Sequence, residues 1–219
     1  MPDLSIRNLS VHTGDGRTIL RVPALTLPAG GSLGIRGPSG AGKSTLLHAI
    51  AGLTAAEGEV RWGETDIARL GEAERDAFRL EHMGLIFQDF LLFEELSALA
   101  NAALPACFLP RQQRPAVRKR ARALLERFGV PPQRRGVATF SGGERQRVAV
   151  ARALSTDPHV ILADEPTASL DRDNANRLVS ELTALARAGG RTLIAVSHDP
   201  AVIAAMDRVV DLVDGELRG

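Results

Sequence analysis

Residues 37–45 read GPSGAGKST, and few nine-residue stretches restrict a fold so tightly. Gly37, four residues, then Gly42, Lys43 and Ser44 match the phosphate-binding loop, which joins a buried strand to the first turn of a helix. The flanks agree, since "SLGIRG" (32–37) is strand-like and "STLLHAIAGL" (44–53) is a plausible helix. Glycines allow backbone conformations strained for other residues, so N–H groups converge on an anion at the positive end of the helix. Gly37, Pro38, Ser39, Gly40, Ala41, Gly42, Lys43, Ser44 and Thr45 are therefore candidate nucleotide-phosphate ligands, with the Ser44 hydroxyl available to Mg²⁺. Lys43 is one of only two lysines among 27 basic residues. Its compact ammonium suits the space between the β- and γ-phosphates better than a broad guanidinium fork.

The rest of the chain accommodates such a loop. Strand-like runs occur at 4–11, 32–37, 84–88, 159–164 and 191–197, and in "RVVDLV" (208–213), where Asp214-Gly215 signals a hairpin. Between the runs at 159–164 and 191–197, Leu178, Val179, Leu182, Leu185 and Ala186 share one helical face, so strand, helix and strand predict a parallel α/β sheet. Residues 94–154 show helical spacing without a convincing strand. Val117, Ala121, Leu124, Leu125 and Phe128 form one stripe there, and prolines punctuate the segment at 105, 110, 115, 131 and 132. At 219 residues this predicts one domain: an α/β core from 1–88 and 156–219, with a helical subdomain inserted at about 89–155.

"VILADEPTASLD" (160–171) delivers two acids from the end of an apolar strand. Asp164 suits the metal, and Glu165 suits orientation or deprotonation of an attacking water. Beside a complete phosphate loop, this pairing outweighs the reading of two solvated acids.

With these motifs in view, the chain resembles the ATP-binding subunit of an ABC transporter over essentially its whole length. "FSGGERQRVAVARAL" (140–154) is similar to the family's signature sequence, with Phe140 for the usual leucine and Glu144 for the frequent glutamine. Gln88 in "LIFQDF" matches the Q-loop, "SLD" (169–171) the D-loop, and His198 in "VSHD" the switch histidine. The resemblance implies an ABC ATPase fold with an N-terminal antiparallel β subdomain. It also implies ATP and Mg²⁺ as cofactors, and catalysis by Glu165, His198, Lys43 and Gln88. Ser44, Gln88 and Asp164 would hold the metal, while Ser141, Gly142, Gly143, Glu144 and Asp171 would contact nucleotide. In the family the signature helix tip faces ATP held by the other subunit, so an ATP-bound homodimer is implied.

One departure stands out. Family members stack adenine on an aromatic residue shortly after the first strand; here Thr13 holds that position, beside His12, and the chain contains no tyrosine. Weaker stacking, or stacking by His12, is expected, with modest discrimination between ATP and GTP.

Partners follow from what the chain carries. A net charge of +1 predicts no particular partner. The most apolar window, 90–109, is broken by Glu94, Glu95, Asn101 and Pro105, so no span is expected and the power stroke requires a separate integral membrane permease. The expected location is cytoplasmic, peripheral on the inner face of the membrane through that permease. "DFLLFEELSALANAALP" and "LADEPTASLDRDNA" most resemble the lipoprotein-release and macrolide-export branch. Phe90, Leu91, Leu92 and Phe93 fit either a docking groove for a partner helix or ordinary core. Nine basic residues against Glu126 within 111–135 are read as a solvated helix face, so no nucleic acid is expected. Cys107 is expected to be a buried bystander. The competing function is a soluble ABC-type ATPase of DNA repair or translation, which usually carries two cassettes or long insertions.

Overall fold

A computed structural model describes residues 2–130 and 136–218. Pro131, Pro132, Arg134 and Arg135, which belong to the proline and basic patterns noted above, lie outside the described residues. The elements run β1 (Leu4–His12), β2 (Thr18–Leu27), β3 (Ser32–Arg36), α1 (Lys43–Ile50), β4 (Glu57–Trp62), β5 (Thr65–Asp66), α2 (Glu72–His82) and β6 (Met83–Ile86). They continue with α3 (Ala98–Ala102), α4 (Arg114–Arg127), α5 (Gly142–Leu154), β7 (Val160–Asp164), α6 (Arg172–Ala188), β8 (Thr192–Val196), α7 (Pro200–Ala204), β9 (Arg208–Val213) and β10 (Glu216–Arg218).

All strands join one ten-stranded sheet, in the order β5-β4-β1-β2-β10-β9-β3-β8-β7-β6. From β9 through β3, β8 and β7 to β6 the pairings are parallel. Every residue of β7 and β8 is buried, as expected when both faces of a parallel sheet are covered. β1, β2, β4 and β5 pair antiparallel, giving the N-terminal antiparallel part of the sheet. The Asp214-Gly215 hairpin forms as expected, with φ of 50° and 77°.

Two clusters of buried side chains flank this sheet. The first joins the antiparallel strands to α1 and includes Trp62, which is 1% exposed. Its indole N–H donates to Ile50 O at 3.0 Å, capping the helix that follows the phosphate loop. The second lies under α3 to α6 and contains Val117's stripe partners Ala121, Leu125 and Phe128. Buried Asn101 fixes the chain that enters this layer. Its side-chain oxygen accepts from Phe93 N–H at 2.8 Å, and its amide donates to the carbonyls of Phe93 and Leu96.

One local expectation needs correction. Cys107 is exposed: in the 3-10 turn Leu104–Phe108 it is Ala106 that faces inward, which turns Cys107 and Phe108 out. The run at 90–93, left open between docking groove and core, divides between the two. Phe90 and Leu92 are half-buried, whereas Leu91 and Phe93 are 56% and 53% exposed.

Candidate functional site

Four adjacent parallel strands, β3, β8, β7 and β6, end on one edge of the sheet. Each is followed by residues singled out in the sequence: 37–45 after β3, His198 after β8, Glu165 after β7 and Gln88 after β6, while Asp164 ends β7. The carboxyl edge of a parallel sheet is where such folds bind ligands. A cavity of about 640 Å³ opens there and is lined by Lys43, Ser44, Gln88, Asp164, Glu165 and His198, with the loop backbone forming one wall.

Sterics fix the loop glycines. A Cβ on Gly37 would lie 2.1 Å from Leu212 O, and Gly42 caps α1 with φ of 94°. The Lys43 ammonium donates to Gly37 O at 3.0 Å and to Pro38 O at 2.9 Å, which holds it across the mouth of the loop. Ala41 contributes differently: it is 4% exposed, outside the cavity lining, and its carbonyl accepts from Gly215 N–H at 3.1 Å.

The two acids occupy contrasting environments. Asp164 is 5% exposed, and burial pushes its pKa up against the lowering effects of a Ser44 hydrogen bond and the charges of His48 and Lys43. Its Oδ1 is buried without a hydrogen-bond partner. An orphaned carboxylate oxygen beside a serine hydroxyl is the donor set a magnesium ion takes, so these residues fit that metal. Glu165 has φ of 45°, an uncommon conformation for a non-glycine residue and one that clusters at functional sites. Its N–H donates to Val196 O at 2.9 Å, and Ser197 Oγ donates to Oε2 at 3.1 Å. His198 Nδ1 lies 2.9 Å from Oε1.

The remaining sequence-predicted residues stand apart from this cavity. Ser141 caps α5 in a reciprocal box: its Oγ accepts from Glu144 N–H at 3.2 Å, and Glu144 Oε2 accepts from Ser141 N–H at 2.8 Å. A Cβ on Gly142 would meet Ser169 O at 3.3 Å, and one on Gly143 would meet Leu170 at 3.1 Å, so the helix tip lies against residues 169–170. Asp171 caps α6 by accepting from Asn174 N–H at 3.0 Å, and the Asn174 hydrogen bonds hold its carboxyl below the usual range.

Two residues that hold the surroundings of the site escaped the sequence reading. Ser197 positions Glu165, yet in "VSHD" it is overshadowed by the histidine. Arg152 of α5 is the second. It donates to Phe90 O at 2.6 Å and to Leu91 O, gripping two residues that both have positive φ, two and three positions after Gln88. Arg145, two turns earlier on the same face of α5, sits 5.8 Å above the Phe90 ring. In an arginine-rich chain nothing in the sequence separates Arg152 from its neighbours.

A second cavity, of about 620 Å³ and mostly apolar, lies between α2, β6 and the turn 104–108, with Leu80, Phe87, Leu91 and Leu104 in its walls.

Comparison with known proteins agrees with this geometry. Residues 20–168 match the family described as ABC transporter. The chain is 41% identical over 204 residues to a lipoprotein-releasing system ATP-binding protein, LolD, of Chromohalobacter salexigens, covering 91% of this chain and 85% of that protein. It is 40% identical to the macrolide export ATP-binding/permease protein MacB 1/2 of Paracoccus denitrificans, over 99% of this chain but 33% of that protein. The dimeric structure of the bacterial ABC transporter cassette MJ0796 superposes with a TM-score of 0.90 at 33% identity, covering 99% of this chain and 97% of the other. The chain belongs to the ABC transporter family, as one of its ATP-hydrolysing cassettes.

Proposed function

We propose that two copies of this chain close head to tail on two ATP molecules and transmit the closure to a separate membrane permease in export, lipoprotein release or mechanotransmission. The observation that carries this reading is the separation, within one chain, of the cavity from the signature tip at Ser141, Gly142, Gly143 and Glu144. A twin supplies that tip to the exposed side of the triphosphate. Asp171, at the adjoining helix start, lies beside the same seam.

Residue roles follow from the chemistry. The loop backbone and Lys43 would bind the β- and γ-phosphates, and Ser44, Gln88 and Asp164 would hold Mg²⁺. That ion supplies charge neutralisation at the phosphates. Glu165, held by Ser197 and His198, accepts a hydrogen bond from the attacking water and takes its proton. His198 exchanges its contact with Glu165 for one with the γ-phosphate when the twin closes. The chain divides functionally into an α/β core and a helical arm of about residues 89–155, joined at the Gln88–Leu91 turn that Arg152 grips.

Among the described residues no helix is long and apolar enough to cross a membrane. The apolar cavity beside Gln88 suits a short cytoplasmic helix of the permease. The names of the relatives, a lipoprotein-releasing system and a macrolide export ATP-binding/permease protein, support that partner class. The test is affinity capture from solubilised membranes with ATP bound. A four-span protein with a large extracytoplasmic domain is expected, and its absence under conditions that preserve the ATP-bound dimer contradicts the reading.

A further inference from the structure

We infer that the outer surface of α4, together with the turn before it, binds anionic lipid headgroups directly, independently of any permease. Arg118, Lys119 and Arg122 are exposed and fall within about 100° of the helix circumference, flanking the buried stripe of Val117, Ala121 and Leu125 and sharing their arc with a single acid, Glu126. Arg111, also exposed, lies in the turn that precedes α4. None of the four has a carboxylate within ion-pair distance among the described residues, although the chain as a whole is nearly neutral. Elsewhere on the molecule arginines do pair with acids, as Arg36 with Asp211 and Arg172 with Asp199.

The basic surface adjoins an exposed aromatic side chain. Arg114 Nε donates to Leu109 O at 2.9 Å, tying the first turn of α4 to the segment that carries Phe108, which is 73% exposed. Phe108 forms the outer lip of the apolar cavity beside Gln88. An exposed aromatic residue beside unpaired cations is the pattern of a membrane-interface contact, where the ring enters the headgroup boundary and the cations meet lipid phosphates. Charge complementarity selects an anionic surface. Nucleic acid fits less well, because the face is the convex side of a single helix with one ring rather than a groove with successive stacking platforms.

The experiment is co-sedimentation of the full chain with protein-free vesicles of phosphatidylcholine, alone or with about one third phosphatidylglycerol. Binding is expected only to the anionic vesicles, with release as salt rises from about 0.05 to 0.5 M. Each neutralised charge lowers partition about fivefold, so the combined variant Arg111→Gln, Arg118→Gln, Lys119→Gln, Arg122→Gln loses at least about a hundredfold. Arg→Lys changes at 111, 118 and 122 retain binding, and Phe108→Ser loses about tenfold. ATP hydrolysis in vesicle-free solution stays at the wild-type rate in the variants at 111, 118, 119 and 122, which separates lost contact from lost folding. Three results overturn the inference: no binding of the wild type to anionic vesicles, undiminished binding of the Gln variant, or displacement of the vesicles by duplex DNA at a lower charge concentration. The vesicles contain no permease, so these outcomes leave the reading of the nucleotide site untouched.

Discussion

His198 Nδ1 stands 2.9 Å from Glu165 Oε1, while the preceding residue, Ser197, donates to the other carboxylate oxygen at 3.1 Å. Consecutive residues after β8 thus hold both oxygens of the acid that follows β7. Orientation supplied by one neutral hydrogen bond is worth about 1 kcal/mol, or roughly fivefold in rate. Ser197→Ala should therefore lower kcat about fivefold with KM for ATP unchanged. His198→Ala, which also removes a phosphate contact, should lower kcat by about two orders of magnitude. Steady-state kinetics of the two variants test the division; equal losses contradict it.

Asp164, the proposed Mg²⁺ ligand, is buried at a stability cost. Its pKa is raised in the fold because of burial, so the folded chain holds that proton more tightly than the unfolded chain. The stability linked to the protonated acid is complete below the ordinary value of 3.8 and is lost as pH rises through the raised value. In chelator, Asp164→Asn should melt above the wild type at neutral pH, by roughly 2–4 °C for each kcal/mol relieved. The difference should shrink as pH falls toward 3.8. Thermal melts across that range check the sign. Hydrolysis should meanwhile be lost with the Mg²⁺ ligand.

Arg152 joins the helix that begins at the signature to the turn that follows Gln88. Burial pushes its guanidinium pKa down, yet its hydrogen bonds to the Phe90 and Leu91 carbonyls are retained. Arg152→Met should cost about 2 kcal/mol, roughly 4–8 °C in Tm, and should reduce kcat by releasing Gln88 from its position. Arg152→Lys should recover little, since one ammonium cannot fork to two carbonyls. Melting and turnover measured together check this, and wild-type kcat in a destabilised Arg152→Met contradicts the positioning role.

Thr13 lies where the family places an aromatic residue, and the structure gives it other contacts: its hydroxyl bonds Asp15 and the Arg17 carbonyl. His12 is likewise engaged, with Ser10 and Thr18. Neither is free to stack without giving up these bonds. Thr13→Phe should tighten ATP binding by about tenfold, within the range of an aromatic stacking contact, and sharpen selection of ATP over GTP. Titration with fluorescent nucleotide analogues measures both.

The phosphate loop and the two acids were legible because their chemistry demands rare residue types at fixed spacing. So were β3, β7 and β8, as continuous apolar runs. β2 was not, because Pro23 interrupts its alternation: Leu20 and Val22 point inward, and then the phase changes to Leu25 and Leu27. The structure accommodates the proline opposite Asn8, which has φ of 50° and lies where the ladder with β1 is interrupted. α2 escaped because none of its residues is fully buried. Asn101 was legible only as a break in an apolar window, although its four hydrogen bonds to backbone make it the pin of the segment after Gln88. Hydrogen bonds to carbonyls, unlike hydrophobic period, leave no trace in the order of residues.

The central claim is a site completed by two chains. Glu165→Gln keeps the shape of the side chain and one oxygen acceptor but removes the base, so ATP should bind and remain unhydrolysed. Size-exclusion chromatography with light scattering of Glu165→Gln, in saturating ATP and Mg²⁺, is the direct measurement. A stable dimer that dissociates when ATP is exchanged for ADP is predicted, with Ser141→Arg in the same background abolishing it. A monomer under those conditions, or a dimer indifferent to nucleotide, contradicts the account.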